Sequence, residues 1–256
     1  MKIREFKEYE VYSRIVVPPS IPFIIRCDGR TFHRLEKVLS LERPFDERFM
    51  KCMVEAAKVL FREGFNPFLA YVFSDEVNYV FTSESIFSRR VEKLDSIVAG
   101  ILSSALTLQV LKNFNVETVV SFDARVVPMK TEEIVEYLAW RQSVCWRNCL
   151  NAYAFKAMID KGMNPREAQK RLNHLKGMEL HDLIYRETGI NIAEVPSWQR
   201  RGVIIKWKFI HREGYDELRK EKVVVRRRIL EEVWEVTLFT NPEGVLFLRN
   251  ALAVCS

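Results

Sequence analysis

Two short runs in this chain, Phe23-Ile24-Ile25 and Phe68 to Phe73, are almost continuously apolar, and each stops at acidic residues. An unbroken apolar run of strand length marks a strand buried on both faces. The first run leads into Arg26-Cys27-Asp28-Gly29-Arg30-Thr31-Phe32-His33 and the second into Ser74-Asp75-Glu76. A buried strand that ends in an ionised side chain needs a compensating charge. A shared divalent cation supplies one, since carboxylate oxygens suit Mg²⁺ and phosphate completes its coordination.

The elements around these runs fix a topology. A strand over about Pro22 to Cys27 is followed by a helix near Asp46 to Arg62, with Phe49, Met50, Met53, Val54, Ala57, Leu60 and Phe61 on one face and Gly64 as its stop. Phe68 to Phe73 and Val77 to Phe81 read as a hairpin with Ser74-Asp75-Glu76 at the turn. A long helix over about Ile86 to Lys112 precedes a fourth strand within Thr118 to Val127. Strand, helix, strand, strand, helix, strand is the ferredoxin-like βαββαβ order of an α+β polymerase-palm core. In that order the end of the first strand and the turn of the hairpin share one sheet edge, so Asp28 and Asp75 become neighbours. Two carboxylates so placed suit a pair of metal ions in nucleotidyl transfer. Gly29 permits a tight turn close to metal and phosphate, and Glu76 is either a further metal contact or an outward turn acid. Arg26, Arg30 and Arg43 are candidate phosphate ligands. Arg89, Arg90 and Lys93 open the second long helix, where they either grip a second triphosphate or RNA 5′ end or form a solvated face. Taken singly, Asp28-Gly29 is an ordinary turn and Ser74-Asp75-Glu76 ordinary hairpin polarity; their meeting on one edge is what points to chemistry.

The chain has 256 residues, 48% of them hydrophobic and 29% charged, with net charge +6. That excess is compatible with a polyanion such as RNA. No apolar stretch is expected to approach the roughly 20 residues of a membrane helix, and no signal peptide opens the chain. Five cysteines, an odd number without regular spacing, suit reduced thiols and a cytoplasmic protein. Cys145 and Cys149 read as buried thiols rather than a zinc site. Further on, Thr131 to Asp160 forms one helix, Asn164-Pro165 starts another and Gly189 ends one; Val203 to Ile210 and Val223 to Arg228 pair as a C-terminal β-hairpin. Arg200, Arg201, Lys206, Lys208, Arg226, Arg227 and Arg228, with Trp198 and Trp207, either bind RNA phosphates and bases or form a solvated basic hairpin over a packed Trp207.

In order along the chain come Arg26 to His33, Arg43-Pro44, Ser74-Asp75-Glu76, Arg89-Arg90, Phe122-Asp123-Ala124-Arg125-Val126-Val127 and Trp140-Arg141-Gln142. This ordered set resembles the tRNA-His guanylyltransferase family, closely over roughly residues 1 to 160 and loosely beyond. The resemblance implies a palm that runs in reverse and adds nucleotides to the tRNA 5′ end in the 3′-to-5′ direction. It implies that Asp28, the Gly29 carbonyl and Asp75 bind two Mg²⁺ ions, and that Asp28, Gly29, Arg30, Thr31, Phe32, His33, Ser74 and Asp75 line the nucleotide site. Arg43 falls at a basic triphosphate ligand of the family. ATP, GTP and other nucleoside triphosphates are the implied substrates, tRNA the implied partner, and a tetramer the implied assembly. The whole chain then forms one catalytic unit, with a palm-like core over about 1–130 and a helical and hairpin extension over about 131–256.

One block departs from the family. Where eukaryotic members carry His-Ile-Asn-Asn-Leu-Tyr-Asn-Thr, this chain reads Trp146-Arg147-Asn148-Cys149-Leu150-Asn151-Ala152-Tyr153. Asn148 is kept, Ala152 takes the place of the last Asn, and Asn151 sits one position early; both asparagines join the candidates for a second triphosphate or the RNA 5′ end. The departure resembles the archaeal and bacterial guanylyltransferase-like branch, which favours templated 5′-end repair of tRNA. Two other readings remain: a palm-fold RNA-binding protein without catalysis, and a palm-fold nucleotidyl cyclase that releases pyrophosphate without RNA.

Overall fold

The structure is a computed structural model that describes residues 6–82, 86–216 and 220–253. Six antiparallel strands form one sheet: β1 (Phe23–Gly29), β2 (Leu69–Phe73), β3 (Glu76–Phe81), β4 (Phe122–Pro128), β5 (Val203–Asp216) and β6 (Glu221–Val233). Their order is β4-β1-β3-β2-β5-β6, so the first four make the expected ferredoxin-like core and the C-terminal hairpin adds to the edge of β2.

Both faces of this sheet are covered, which is why its central strands read as continuous apolar runs. Alternate residues point to opposite sides. Phe23, Ile25 and Cys27, with Val77, Tyr79 and Phe81, pack on one side with α2 (Glu47–Arg62) and α3 (Val91–Phe114). Ile24, Val80, Leu69, Tyr71 and Phe73 pack on the other with Ile134, Leu138 and Cys145 of α4 (Glu133–Asp160) and with α8 (Pro242–Ala253). Beyond Cys145, α4 joins a third cluster. There Cys149, Leu150, Ala154 and Met158 meet α5 (Pro165–Leu172) and α6 (Gly177–Thr188). Cys145 and Cys149 are buried free thiols, as expected, and burial pushes Cys149 up to about 12.

Four features differ from the sequence expectation. The hairpin turn holds two residues, Ser74 and Asp75, with Ser74 at φ 51, so Glu76 is the first residue of β3. A short helix α1 (Phe32–Val38) follows β1, too brief for its buried Phe32 and Leu35 to show a period. The segment before α3 is not helical throughout: Phe87, Ser88 and Arg89 have φ of 49, 52 and 61. Finally, α3 is long and apolar enough to cross a membrane by length and composition, with a mean hydropathy of 1.6 over its most apolar stretch. In this fold Leu94, Val98, Leu102, Leu106 and Val110 of that helix are buried in the core instead.

Candidate active site

The ends of β1 and of the β2–β3 hairpin meet at one sheet edge. The Gly29 amide donates to the Asp75 carbonyl at 3.0 Å. In the ladder Asp28 stands directly opposite Glu76 on one side and Asp123 on the other. Three carboxylates therefore share a row, and directly opposed side chains lie on the same face. Two of them have their own arginine: Asp123 pairs with Arg125 at 2.6 Å, and Glu76 with Arg141. Asp28, between them, has no ion pair among the described residues. Burial pushes the Asp75 carboxyl up to about 6, and the charges of Asp28 and Glu76 push the same way, against the Ser74 hydroxyl hydrogen bond.

A cleft of about 580 Å³ opens against this edge. Gly29, Thr31, Phe32, His33, Arg43, Ser74 and Asp75 line it with Asn148 and Asn151, so all the candidates for the nucleotide site except Asp28 and Arg30 come together there. The loop bearing Arg43 is held by Asp46, whose carboxylate caps α2 through the amides of Arg48 (2.9 Å) and Phe49 (3.3 Å) and also accepts from the Glu42 amide at 3.1 Å. Burial opposes ionisation of Asp46, but these bonds and the Arg48 guanidinium outweigh it and hold the carboxyl at about 2. Arg43 itself faces Glu36 at 3.4 Å. The glycine at position 29 is required by its neighbour: a Cβ there would lie 2.3 Å from the Phe32 ring.

The charges on the cleft wall bear on a metal. Of the acids on that wall, Glu36 pairs with Arg43 and Asp46 with Arg48, which leaves Glu42 and Asp75 without an ion pair among the described residues. No group of three or more His, Cys, Asp or Glu side chains forms a metal cage among the described residues. The available donors are the Asp28 and Asp75 carboxylates and the Gly29 carbonyl. So sparse a set of hard oxygens fits Mg²⁺, which keeps several waters and shares phosphate oxygens rather than filling a protein cage.

Several candidates stand elsewhere. Glu76 is neither an outward turn acid nor free for a metal: it is buried, both oxygens engaged by Arg141 and one also by Asn78 at 2.7 Å. Tyr137 extends this network to Asn78 at 2.8 Å. Arg89, Arg90 and Lys93 lie at the opposite end of the strands, since α3 begins where β3 ends, beside Phe23. Arg89 is buried there, donating to the carbonyls of Val17 and Ile21 with its guanidinium over the Phe23 ring, and Arg90 pairs with Glu92. Arg26 sits within β1 opposite Asn78 and Arg125, its Nε buried without a partner among the described residues. Arg30 donates its amide to the Ser121 carbonyl and does not line the cleft.

Arg200 and Arg201, of α7 (Ser197–Arg201), are tied to the carbonyls of Val195 and Val236. The hairpin leaves the sheet at the far end, because β5 runs from Val203 opposite Val72 to Lys206 opposite Leu69. On it Lys206 and Lys208 both pair with Glu231, Arg226 lies over Phe209, Arg228 over Trp207, and Arg227 is exposed. Trp207 packs edge-on to Phe61 and donates to the Pro67 carbonyl at 3.1 Å.

Sequence reading missed the cleft wall formed by Phe45, Phe155, Lys156, Gln169 and Gln199, and it grouped Trp198, which also lines the cleft, with the basic hairpin. It also left Arg141 without a partner, although its motif was in view.

A tRNAHis guanylyltransferase family model matches residues 3–130, and a model of the C-terminal domain of the same family matches residues 132–235. The chain belongs to the tRNAHis guanylyltransferase family. It is 30% identical over 240 residues to the tRNA(His) guanylyltransferase of Schizosaccharomyces pombe, covering 92% of this chain and 91% of that one. The Saccharomyces cerevisiae enzyme superposes with a TM-score of 0.70 at 26% identity, over 86% of this chain and 96% of that one. A bacterial guanylyltransferase-like protein in complex with ATP shares the fold, with a TM-score of 0.76 at 22% identity over 97% of both chains. Membership makes the protein a nucleotidyltransferase, and of the ordered blocks that suggested the family all but Arg89-Arg90 reach the sheet edge, the cleft or α4.

Proposed function

We propose that this chain adds nucleotides to the 5′ end of tRNA in the 3′-to-5′ direction, with Mg²⁺, and that templated repair of truncated 5′ ends is its main use. The observation that carries this reading is the junction of β1 with the β2–β3 turn, Gly29 amide to Asp75 carbonyl, with the cleft open against it. Asp28, Asp75 and the Gly29 carbonyl would hold the metal. Bound Mg²⁺ would offset the triphosphate charge and favour the ionised form of an attacking hydroxyl. Arg43 holds phosphate oxygens at the cleft mouth, and the loop fixed by Asp46 keeps it there.

The reaction has two steps. A 5′-monophosphorylated tRNA first takes AMP from ATP, forming a 5′-to-5′ pyrophosphate link and releasing pyrophosphate. The 3′-hydroxyl of an incoming nucleoside triphosphate then attacks the tRNA 5′ phosphorus, a new P–O bond forms, and AMP leaves. Pairing with the opposite strand selects the incoming base. The projecting hairpin supports an RNA partner: Val203 to Val233 contains nine Lys or Arg and six Asp or Glu, and so supplies +3 of the net +6.

The test is incubation with Mg²⁺, ATP, GTP and a 5′-monophosphorylated tRNA lacking its first nucleotide, beside Asp28→Ala and Asp75→Ala. Extension by the templated nucleotide, lost in both variants, supports the reading. RNA binding without extension in any of the three proteins would leave a non-catalytic palm.

A further inference from the structure

Gly29 and Asp75 line the cleft, but Asp28 does not. Alternation along β1 gives the reason. Phe23, Ile25 and Cys27 face α2 and α3, so Ile24, Arg26 and Asp28 face the side that carries α4. Strand β4 follows the same rule. Phe122, Ala124 and Val126 pack on the α2–α3 side, which turns Asp123 and Arg125 toward α4, directly opposite Asp28 and Arg26. Helix α4 covers the middle of this face through Ile134, Leu138 and Cys145. It leaves β4 open: the Asp123 and Arg125 side chains are 61% and 48% exposed.

The outcome is a shelf on the outer strand of the sheet, with two rows of charge. Asp28 and Asp123 form the row at the edge. Arg26 and Arg125 stand behind it, roughly 7 Å along the strands. Directly opposed like charges are unfavourable, and an anion between two guanidinium groups removes the conflict. The exposed Asp123–Arg125 pair is worth little in water, so phosphate can compete for Arg125. Above the shelf, Trp140 of α4 is half exposed. The Arg141 guanidinium lies over its ring at 4.5 Å, and Tyr137 stands edge-on at 5.6 Å. Both props are fastened to β3, Arg141 through Glu76 and Tyr137 through Asn78, and Tyr137 also meets Arg26. A ring held in place, with half its surface bare and two cations beside it, suits a base with its phosphate.

The two sides of the edge differ in what they admit. A cleft of about 580 Å³ takes one small molecule, whereas the end of a duplex needs an open approach. We propose that the 5′-terminal nucleotide of the RNA docks on this shelf, its base stacked on Trp140 and its phosphate between Arg26 and Arg125, while the incoming nucleotide occupies the cleft. This rests on the RNA-extending reading above. Asp28 looks onto the shelf and Asp75 onto the cleft, so the metal-binding edge lies between the two substrates. Trp140 and Arg125 are then positioning residues for the RNA alone.

The experiment measures equilibrium binding with Mg²⁺ for the unaltered protein, Trp140→Ala, Trp140→Phe and Arg125→Gln. The ligands are a tRNA lacking its first nucleotide, with a 5′-monophosphate or a 5′-hydroxyl, and, without RNA, ATP and GTP. Both side chains are half exposed, so the variants are expected to fold; thermal unfolding checks this. Trp140→Ala should bind both RNA forms about 10- to 100-fold more weakly, and Trp140→Phe, which keeps a ring, should stay within about threefold of the unaltered protein. Arg125→Gln should weaken the 5′-monophosphorylated form about 10-fold and the 5′-hydroxyl form less than twofold. Binding of ATP and GTP should change less than about twofold in every variant. Unchanged binding of the 5′-monophosphorylated tRNA by either Trp140→Ala or Arg125→Gln overturns the proposal. So does a loss in Trp140→Phe as large as in Trp140→Ala, or an equal loss of both RNA forms in Arg125→Gln. An equal loss of ATP or GTP binding in a folded variant gives the shelf to the free nucleotide and overturns it too. If the unaltered protein binds no RNA, the RNA-extending reading itself fails, and this inference with it.

Discussion

Arg141→Met should be among the most damaging single substitutions in the chain. The Arg141 and Glu76 side chains are 8% and 7% exposed, and two charge-assisted hydrogen bonds join them. Removing one partner of a buried pair typically costs about 3–5 kcal/mol, because the other charge is left unpaired. Here the stranded charge would be the Glu76 carboxylate, opposite Asp28 in the ladder with Asp123 beyond it, so the upper part of that range applies. A domain is stable by only about 5–15 kcal/mol, so a large share of the total is at stake. The double variant Glu76→Leu/Arg141→Met removes both charges and should recover most of the loss, as replacing a whole buried pair is often neutral. Urea unfolding of the four proteins of this cycle measures the coupling. A loss below about 1 kcal/mol for Arg141→Met, as for an exposed pair, with no recovery in the double variant, would refute the reasoning.

Gly29→Ala should cost about 1–3 kcal/mol through overpacking, since the new methyl meets the Phe32 ring at 2.3 Å; thermal unfolding reads it. The Asp46 carboxyl is held at about 2 when folded against roughly 3.9 when unfolded, so its contribution is present above about pH 4 and drains away as pH falls toward 2. Asp46→Asn should therefore be less stable than the unaltered protein by about 2 kcal/mol at pH 7, with the gap narrowing in urea unfolding below pH 4; a gap independent of pH would contradict the assignment. Replacing Arg226, Arg227 and Arg228 by Gln should weaken RNA binding and flatten its salt dependence by about one unit of slope for each phosphate no longer held, and an unchanged slope would remove the hairpin from the RNA interface.

Much of the core was legible because its signals are local and redundant. Phe23 to Ile25 and Phe68 to Phe73 announced strands covered on both sides, and the order of elements alone placed Asp28 beside Asp75. What escaped depended on partners distant in sequence. Glu76 looked like a turn residue until its bond to Arg141, 65 positions away, placed it in the interior. Arg89 looked like a phosphate ligand because nothing in a sequence shows that an arginine is spent on the carbonyls of Val17 and Ile21. The basic hairpin was visible, but not the end of the sheet from which it leaves; that follows from the Val72–Val203 register. The uncharged span of α3 is hard to see because Ser, Thr and Gly dilute it.

The 28 residues of α4 run without a break from the sheet to the cleft. Its first half is fastened to the strands through Ile134, Leu138 and Arg141, and its second half is the wall bearing Asn148 and Asn151. One rod thus runs from the acidic edge of the sheet to the wall of the cleft. Along α4 the protein works as a gauge: one unbroken helix, with no loop in it to take up slack, sets the spacing between the Arg141 anchor and the wall that bears Asn148 and Asn151.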